Sequence, residues 1–136
     1  MAPTLLLQKY PKSTIDIYIT VIEQDGFFAS IAGAVNCASL ALADAGLEMK
    51  DVVCSTSLII NKNLDLIMDA TEEEEDNSMG YMVFAALPSI NEVSATVFHG
   101  EKKCKEFQEI VEVGMETCSK IYPIITECLV ESFALK

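Results

Sequence analysis

The 136-residue chain contains no arginine, no tryptophan and a single histidine, His99. All nine of its basic side chains are lysines, set against 21 acidic ones, which gives a net charge of −12 and an isoelectric point near 4.3. Guanidinium forks and basic stripes are the usual means of gripping phosphates, so this composition argues against tight, autonomous nucleic-acid binding. With one imidazole in the chain, Cys54, Ser55 or Ser57 would each have only His99 as a base, which argues against a Ser or Cys hydrolase. The five cysteines, at 37, 54, 104, 118 and 128, form no CxxC pair and have only one histidine to join them, which argues against a zinc site. Four of them sit among apolar neighbours, where a free thiol behaves as a small core residue, and no secretory signal opens the chain. A reducing, intracellular compartment is expected. Neither a GxxxxGK[ST] nor a GxGxxG phosphate-binding pattern occurs.

What is present is apolar: 51% of residues are hydrophobic and the mean hydropathy is +0.31, which excludes global disorder and suits one domain with a sizeable core. Residues 14–23 alternate Ile15, Ile17, Ile19 and Val21 with Asp16, Tyr18, Thr20 and Ile22, which predicts a strand. Residues 26–43 carry no charge, a run of 18 that reaches the lower edge of a membrane span. That run also contains Ser30, Gly33, Asn36 and Ser39 and is flanked by Asp25 and Asp44, a pattern of a helix in a soluble protein. Its many alanines predict a helix from about Phe28 to Ala45, ended by Gly46 and buried on most sides.

Val52–Ile60 and Leu64–Met68 read as strands joined by the Asn61-Lys62-Asn63 turn, and residues 80–87 and 92–98 as a hairpin around Pro88-Ser89-Ile90-Asn91. From Glu101 to Lys136, Cys104, Phe107, Val111, Met115, Cys118, Ile121, Ile125, Leu129 and Phe133 recur at helical spacing. Pro123 is expected to kink or split that helix. The order predicts an α+β fold, a small mixed or antiparallel sheet with helices on one face.

Two stretches invite chemistry. Asp69-Ala70-Thr71-Glu72-Glu73-Glu74-Glu75-Asp76 offers six carboxylates in eight residues, a potential cation holder or general acid, although mutual repulsion favours a solvated loop. Asp25-Gly26 before a helix could present free amides to an anion. Phe27 and Phe28, however, are bulky where a phosphate cradle has small or cationic residues.

Several stretches together resemble the RNase PH-like ring subunits of the RNA exosome: Tyr10-Pro11-Lys12 leading to Ile15-Asp16-Ile17, Glu23-Gln24-Asp25-Gly26, Ala38 to Asp51, the acidic run from Asp69, and Ala85 to Val93. Leu42–Met49 and Cys118–Ile125 lean toward one member of that family. The resemblance implies an RNase PH-like fold and covers only the later half of a usual member. Residues 1–50 would end the first subdomain, a ribosomal-protein-S5-domain-2-like remnant, and residues 51–136 would form the second. Phosphorolytic members carry a Gly-Gly-Thr-Arg-like turn where this chain has Gly26-Phe27-Phe28-Ala29, so the groups that would hold phosphate are lost. The family's acidic positions appear as Asp69 and Asp76 with altered spacing. The resemblance therefore implies a non-catalytic ring subunit with no cofactor and no metal. The alternative is an active phosphorolytic 3′-to-5′ exoribonuclease using Asp69 or Asp76 as general acid. Implied partners are other RNase PH-like subunits, S1/KH-type cap proteins, and RNA met through the assembled channel rather than by this chain alone. Nuclear, nucleolar and cytoplasmic localisation and self-association of the isolated chain are further expectations.

Overall fold

A computed structural model describes residues 4–100 and 104–134 of the chain, with the side chains of the last helix described from residue 107 onward. Helix α1 spans Phe27–Asp44; strands β1 (Cys54–Ile60) and β2 (Leu66–Met68) follow, then a short helix α2 (Glu72–Asp76). Strands β3 (Gly80–Leu87) and β4 (Glu92–Gly100) are joined by a 3-10 turn at Pro88–Ile90, and helix α3 (Cys104–Ala134) comes last. All strand pairings are antiparallel, in the order β2-β1-β3-β4. The expected strands after residue 50, the hairpin and the long final helix are thus present. Asn91 takes the left-handed conformation that lets the hairpin close.

The two long helices occupy opposite faces of the sheet rather than one. Phe28 of α1 stacks on Tyr81 of β3, whereas Phe84, an odd number of residues along the same strand, packs under Gly114 of α3. Every residue of β1 is buried, Ser55, Thr56 and Ser57 included, so both of its faces need cover. Cys54, Leu58, Ile60, Met82, Phe84 and Ala86 form the core with Ile110, Cys118 and Ile125 of α3.

Helix α1 passes the length and apolarity criteria for a membrane span, with a mean hydropathy of 1.5, yet it is keyed to the sheet by specific polar bonds. Asn36 Nδ2 donates to the Ser55 carbonyl at 2.9 Å and its Oδ1 accepts the Ser55 N–H at 2.7 Å, while Ser39 Oγ accepts the Val53 N–H at 2.8 Å. Its buried residues are Ala32, Ala38, Ser39 and Leu42, one face only, so the expectation of burial on most sides is corrected. Gly33, Cys37 and Ala41 are left open.

Two further expectations are corrected. Residues 14–22 do not form a strand and take part in no backbone–backbone hydrogen bond among the described residues. Propensity favours a strand there, but among the described residues no strand pairs with it. The acidic run is not a loop, because Thr71 and Glu74 make a capping box that starts α2 despite its like charges. Pro123 neither ends nor splits α3, which continues through it, and Thr126 Oγ1 donates to the carbonyls of Tyr122 and Pro123.

Candidate functional site

The N-terminus of α1 carries three backbone N–H groups without an intrahelical acceptor, and its cap residue, Gly26, has no side chain to bond them. Glu75 supplies the acceptor from 48 residues away. Its carboxylate receives the N–H of Phe27 at 2.6 Å, of Phe28 at 2.8 Å and of Ala29 at 3.3 Å. A carboxylate in this place also meets the positive end of the helix dipole. The relation is reciprocal at the base of α2, where the Glu72 N–H donates to Asp25 Oδ1 at 3.3 Å.

Gly26 makes this proximity possible. Its φ of 106° is one that L side chains rarely adopt, and a Cβ there would lie 2.3 Å from the Ala70 carbonyl oxygen and 3.1 Å from Glu75 Oε1. The glycine serves close packing of the 69–76 segment against the helix start.

An aromatic row borders the turn. The Phe28 and Tyr81 rings stack with centroids 3.6 Å apart, Phe27 meets Phe28 edge-on at 5.3 Å, and His99 lies over Tyr81 at 5.4 Å. The expected use of Phe27 and Phe28 in packing holds for Phe28, while Phe27 remains 57% exposed.

Asp69 follows β2 in the left-handed conformation and is exposed; its N–H donates to the Ser57 carbonyl at 3.4 Å. Asp76 ends α2 and is also exposed. Neither makes a hydrogen bond to the Gly26–Ala29 turn among the described residues; Glu75 does. Sequence reasoning singled out the run but not its operative member, and nothing local in the sequence distinguishes Glu75 from its acidic neighbours. Among the described residues no three His, Cys, Asp or Glu side chains converge as metal ligands.

The nucleophile candidates are buried elsewhere. Ser55 Oγ donates to the Phe84 carbonyl at 2.9 Å, and Cys118 Sγ donates to the Cys54 carbonyl at 3.3 Å. Burial foremost, then the neighbouring Cys118 and Asp51, pushes the Cys54 thiol up to about 12, and burial pushes Cys118 up to about 11. Both are poor thiolates at neutral pH.

Comparison with known proteins gives a consistent likeness. The model of the 3′ exoribonuclease family, domain 1 (RNase PH), matches residues 1–48. The exosome complex component MTR3 of Mus musculus is 32% identical over 135 residues, 97% of this chain and 49% of the relative. The corresponding component of Schizosaccharomyces pombe is 39% identical over 97 residues, 69% of this chain and 38% of the relative. The exosome complex component Rrp41 of Pyrococcus furiosus is 30% identical over 135 residues, 98% of this chain and 52% of the relative. The chain thus spans about half the length of most curated relatives it matches. The crystal structure of rice Rrp46 superposes with a TM-score of 0.71 at 19% identity, covering 79% of this chain and 50% of that one, a likeness of fold. The lean of Leu42–Met49 and Cys118–Ile125 is toward the messenger-RNA transport regulator, in agreement with the two MTR3 relatives.

Proposed function

The chain belongs to the RNase PH family of 3′ exoribonucleases and their relatives, and we propose that it serves as a non-catalytic, structural subunit of an exosome-type ring. The observation that carries this reading is the Glu75 carboxylate on the three free amides of α1. By resemblance, that turn is where phosphorolytic members hold phosphate. Here the amides are already bonded, the occupant is an anion, and Glu72, Glu73, Glu74 and Asp76 flank it. A phosphate entering would displace a bonded carboxylate and meet that charge with no arginine in the chain to offset it.

In this reading residues 1–50 close the first subdomain and 51–136 make the second. The subunit pairs with other RNase PH-like subunits and supports S1/KH-type cap proteins. RNA is met by the assembled channel. Its location follows the assembly: nuclear, nucleolar and cytoplasmic. An acidic, arginine-free surface suits a scaffold better than a strand-gripping subunit.

The test is a phosphate titration of the purified chain followed by amide NMR. The account expects the Phe27, Phe28 and Ala29 resonances to stay in place through millimolar inorganic phosphate. Saturable shifts at those amides would contradict it.

A further inference from the structure

Thr71 is the one hydroxyl residue in the chain followed by an unbroken run of carboxylates, Glu72-Glu73-Glu74-Glu75-Asp76. Ser13, Thr20 and Ser89 each have a single acidic residue three positions on, Asp16, Glu23 and Glu92, and no run. Thr71 is exposed together with Glu72, Glu73, Glu74 and Asp76, whereas Ser39, Ser55, Thr56 and Ser57 are buried. Its backbone is extended, with φ −71° and ψ 163°, at the point where α2 begins. Its hydroxyl is engaged only by the run itself: the oxygen accepts the Glu74 N–H at 3.4 Å, and the proton is donated to Glu74 Oε2 at 3.1 Å. A helix of five residues is too short to be stable alone, and Glu72 and Asp76 repel at i,i+4 spacing, so local opening of α2 presents Thr71 and the run as an extended segment. No cation balances these carboxylates, because the ion pairs among the described residues, Lys9–Glu48 and Lys120–Glu116, lie elsewhere.

We propose that Thr71 is a phosphorylation site, the substrate of a Ser/Thr kinase whose basic groove reads acidic residues on the C-terminal side of the acceptor. In the transfer, Thr71 Oγ1 attacks the γ-phosphorus of ATP and the bond from that phosphorus to the β,γ-bridging oxygen breaks. The hydroxyl proton passes to the general base of the kinase, and ADP leaves. The product carries a charge of about −2 beside Glu72 to Glu75. It also abolishes the donation from Thr71 Oγ1 to Glu74 Oε2 and sets two anions where that bond stood. The free amides of so short a helix do not offset this crowding of negative charge. Modification therefore loosens α2, and with it Glu75, whose carboxylate caps α1. The inference does not depend on the non-catalytic reading.

The test incubates the full 136-residue chain with ATP and purified casein kinase II, an acid-directed kinase, and maps the product by tandem mass spectrometry. The expected product carries a single phosphate, on Thr71. Thr71→Ser keeps both the hydroxyl and the cap and is modified at the same position. Glu74→Gln keeps a capping-box acceptor but removes the charge three residues on, and its rate of modification falls at least about tenfold. Amide exchange at Phe27, Phe28 and Ala29 quickens at least about threefold in the phosphorylated chain. No incorporation while casein is phosphorylated in the same reaction, or incorporation confined to other hydroxyls, would overturn the proposal. An undiminished rate in Glu74→Gln would overturn recognition through the acidic run, and unchanged exchange in the Thr71-phosphorylated chain would overturn the coupling to α1.

Discussion

Glu75 Oε1 lies 2.8 Å from the backbone nitrogen of Phe28, so the acidic segment caps the helix that follows Gly26. The same carboxylate reaches Phe27 and Ala29, which makes it both a cap for α1 and the occupant of its anion-attracting end. The non-catalytic reading is anchored on this contact.

Removing that cap has a measurable cost. Glu75→Gln keeps a neutral acceptor and is expected to lower stability by about 0.5–1 kcal/mol, and Glu75→Ala by about 1–2 kcal/mol, in urea unfolding. Amide exchange at Phe27, Phe28 and Ala29 should quicken in both. Substituting exposed Glu73 by Gln, which leaves the cap intact, should not reproduce the effect.

Gly26→Ala should be more damaging than its size suggests. The added methyl would be 2.3 Å from the Ala70 carbonyl at a backbone φ of 106°. The expected cost is about 2–3 kcal/mol, with separation of α2 from α1. Chemical shifts of Thr71 to Glu75 report that separation directly.

Gly114→Ala reverses an ordinary expectation. Alanine in an exposed helix interior gains about 1 kcal/mol over glycine. Here the new Cβ would stand 2.9 Å from the Phe84 ring, itself fully buried in the core. Overpacking is expected to dominate, giving a net loss of about 1–2 kcal/mol in thermal or urea unfolding.

The buried thiols predict an alkaline limit. Cys54 and Cys118 ionise near 12 and 11 in the folded chain and near 9.0 when exposed. Because the folded values are raised, their contribution is fully present below pH 9 and declines as pH rises toward 11–12. The urea midpoint should fall across that range, less steeply in a Cys54→Ala, Cys118→Ala variant. At pH 8, iodoacetamide should label exposed Cys37 and Cys128 quickly and Cys54 and Cys118 only on unfolding.

Patterns confined to one element were legible in the sequence. The hairpin around Pro88-Ser89-Ile90-Asn91 and the amphipathic α3 carry their own signals, and both are present. Residues 14–22 show the limit of such reading: alternation reports a propensity to pair, and pairing needs a neighbour. Helix α1 is rich in alanine on every side, and composition alone could not say that only the Ala32–Leu42 face meets the sheet. The start of α2 was written in Thr71 and Glu74, a capping signal obscured by the expectation that four adjacent glutamates repel into a loop. The site's defining contact joins residues 47 apart, Phe28 and Glu75, and rests on tertiary packing no local pattern encodes.

The most direct test of the proposed role is phosphorolysis by whatever complex co-purifies with this chain, assayed on end-labelled RNA with inorganic phosphate and with Asp69→Asn and Asp76→Asn variants of the chain. The account predicts that nucleoside diphosphate release, where the complex shows any, is the same for wild type and both variants. Phosphate-dependent release that disappears in either variant, with the complex intact, would contradict it and identify this chain as an active exoribonuclease subunit.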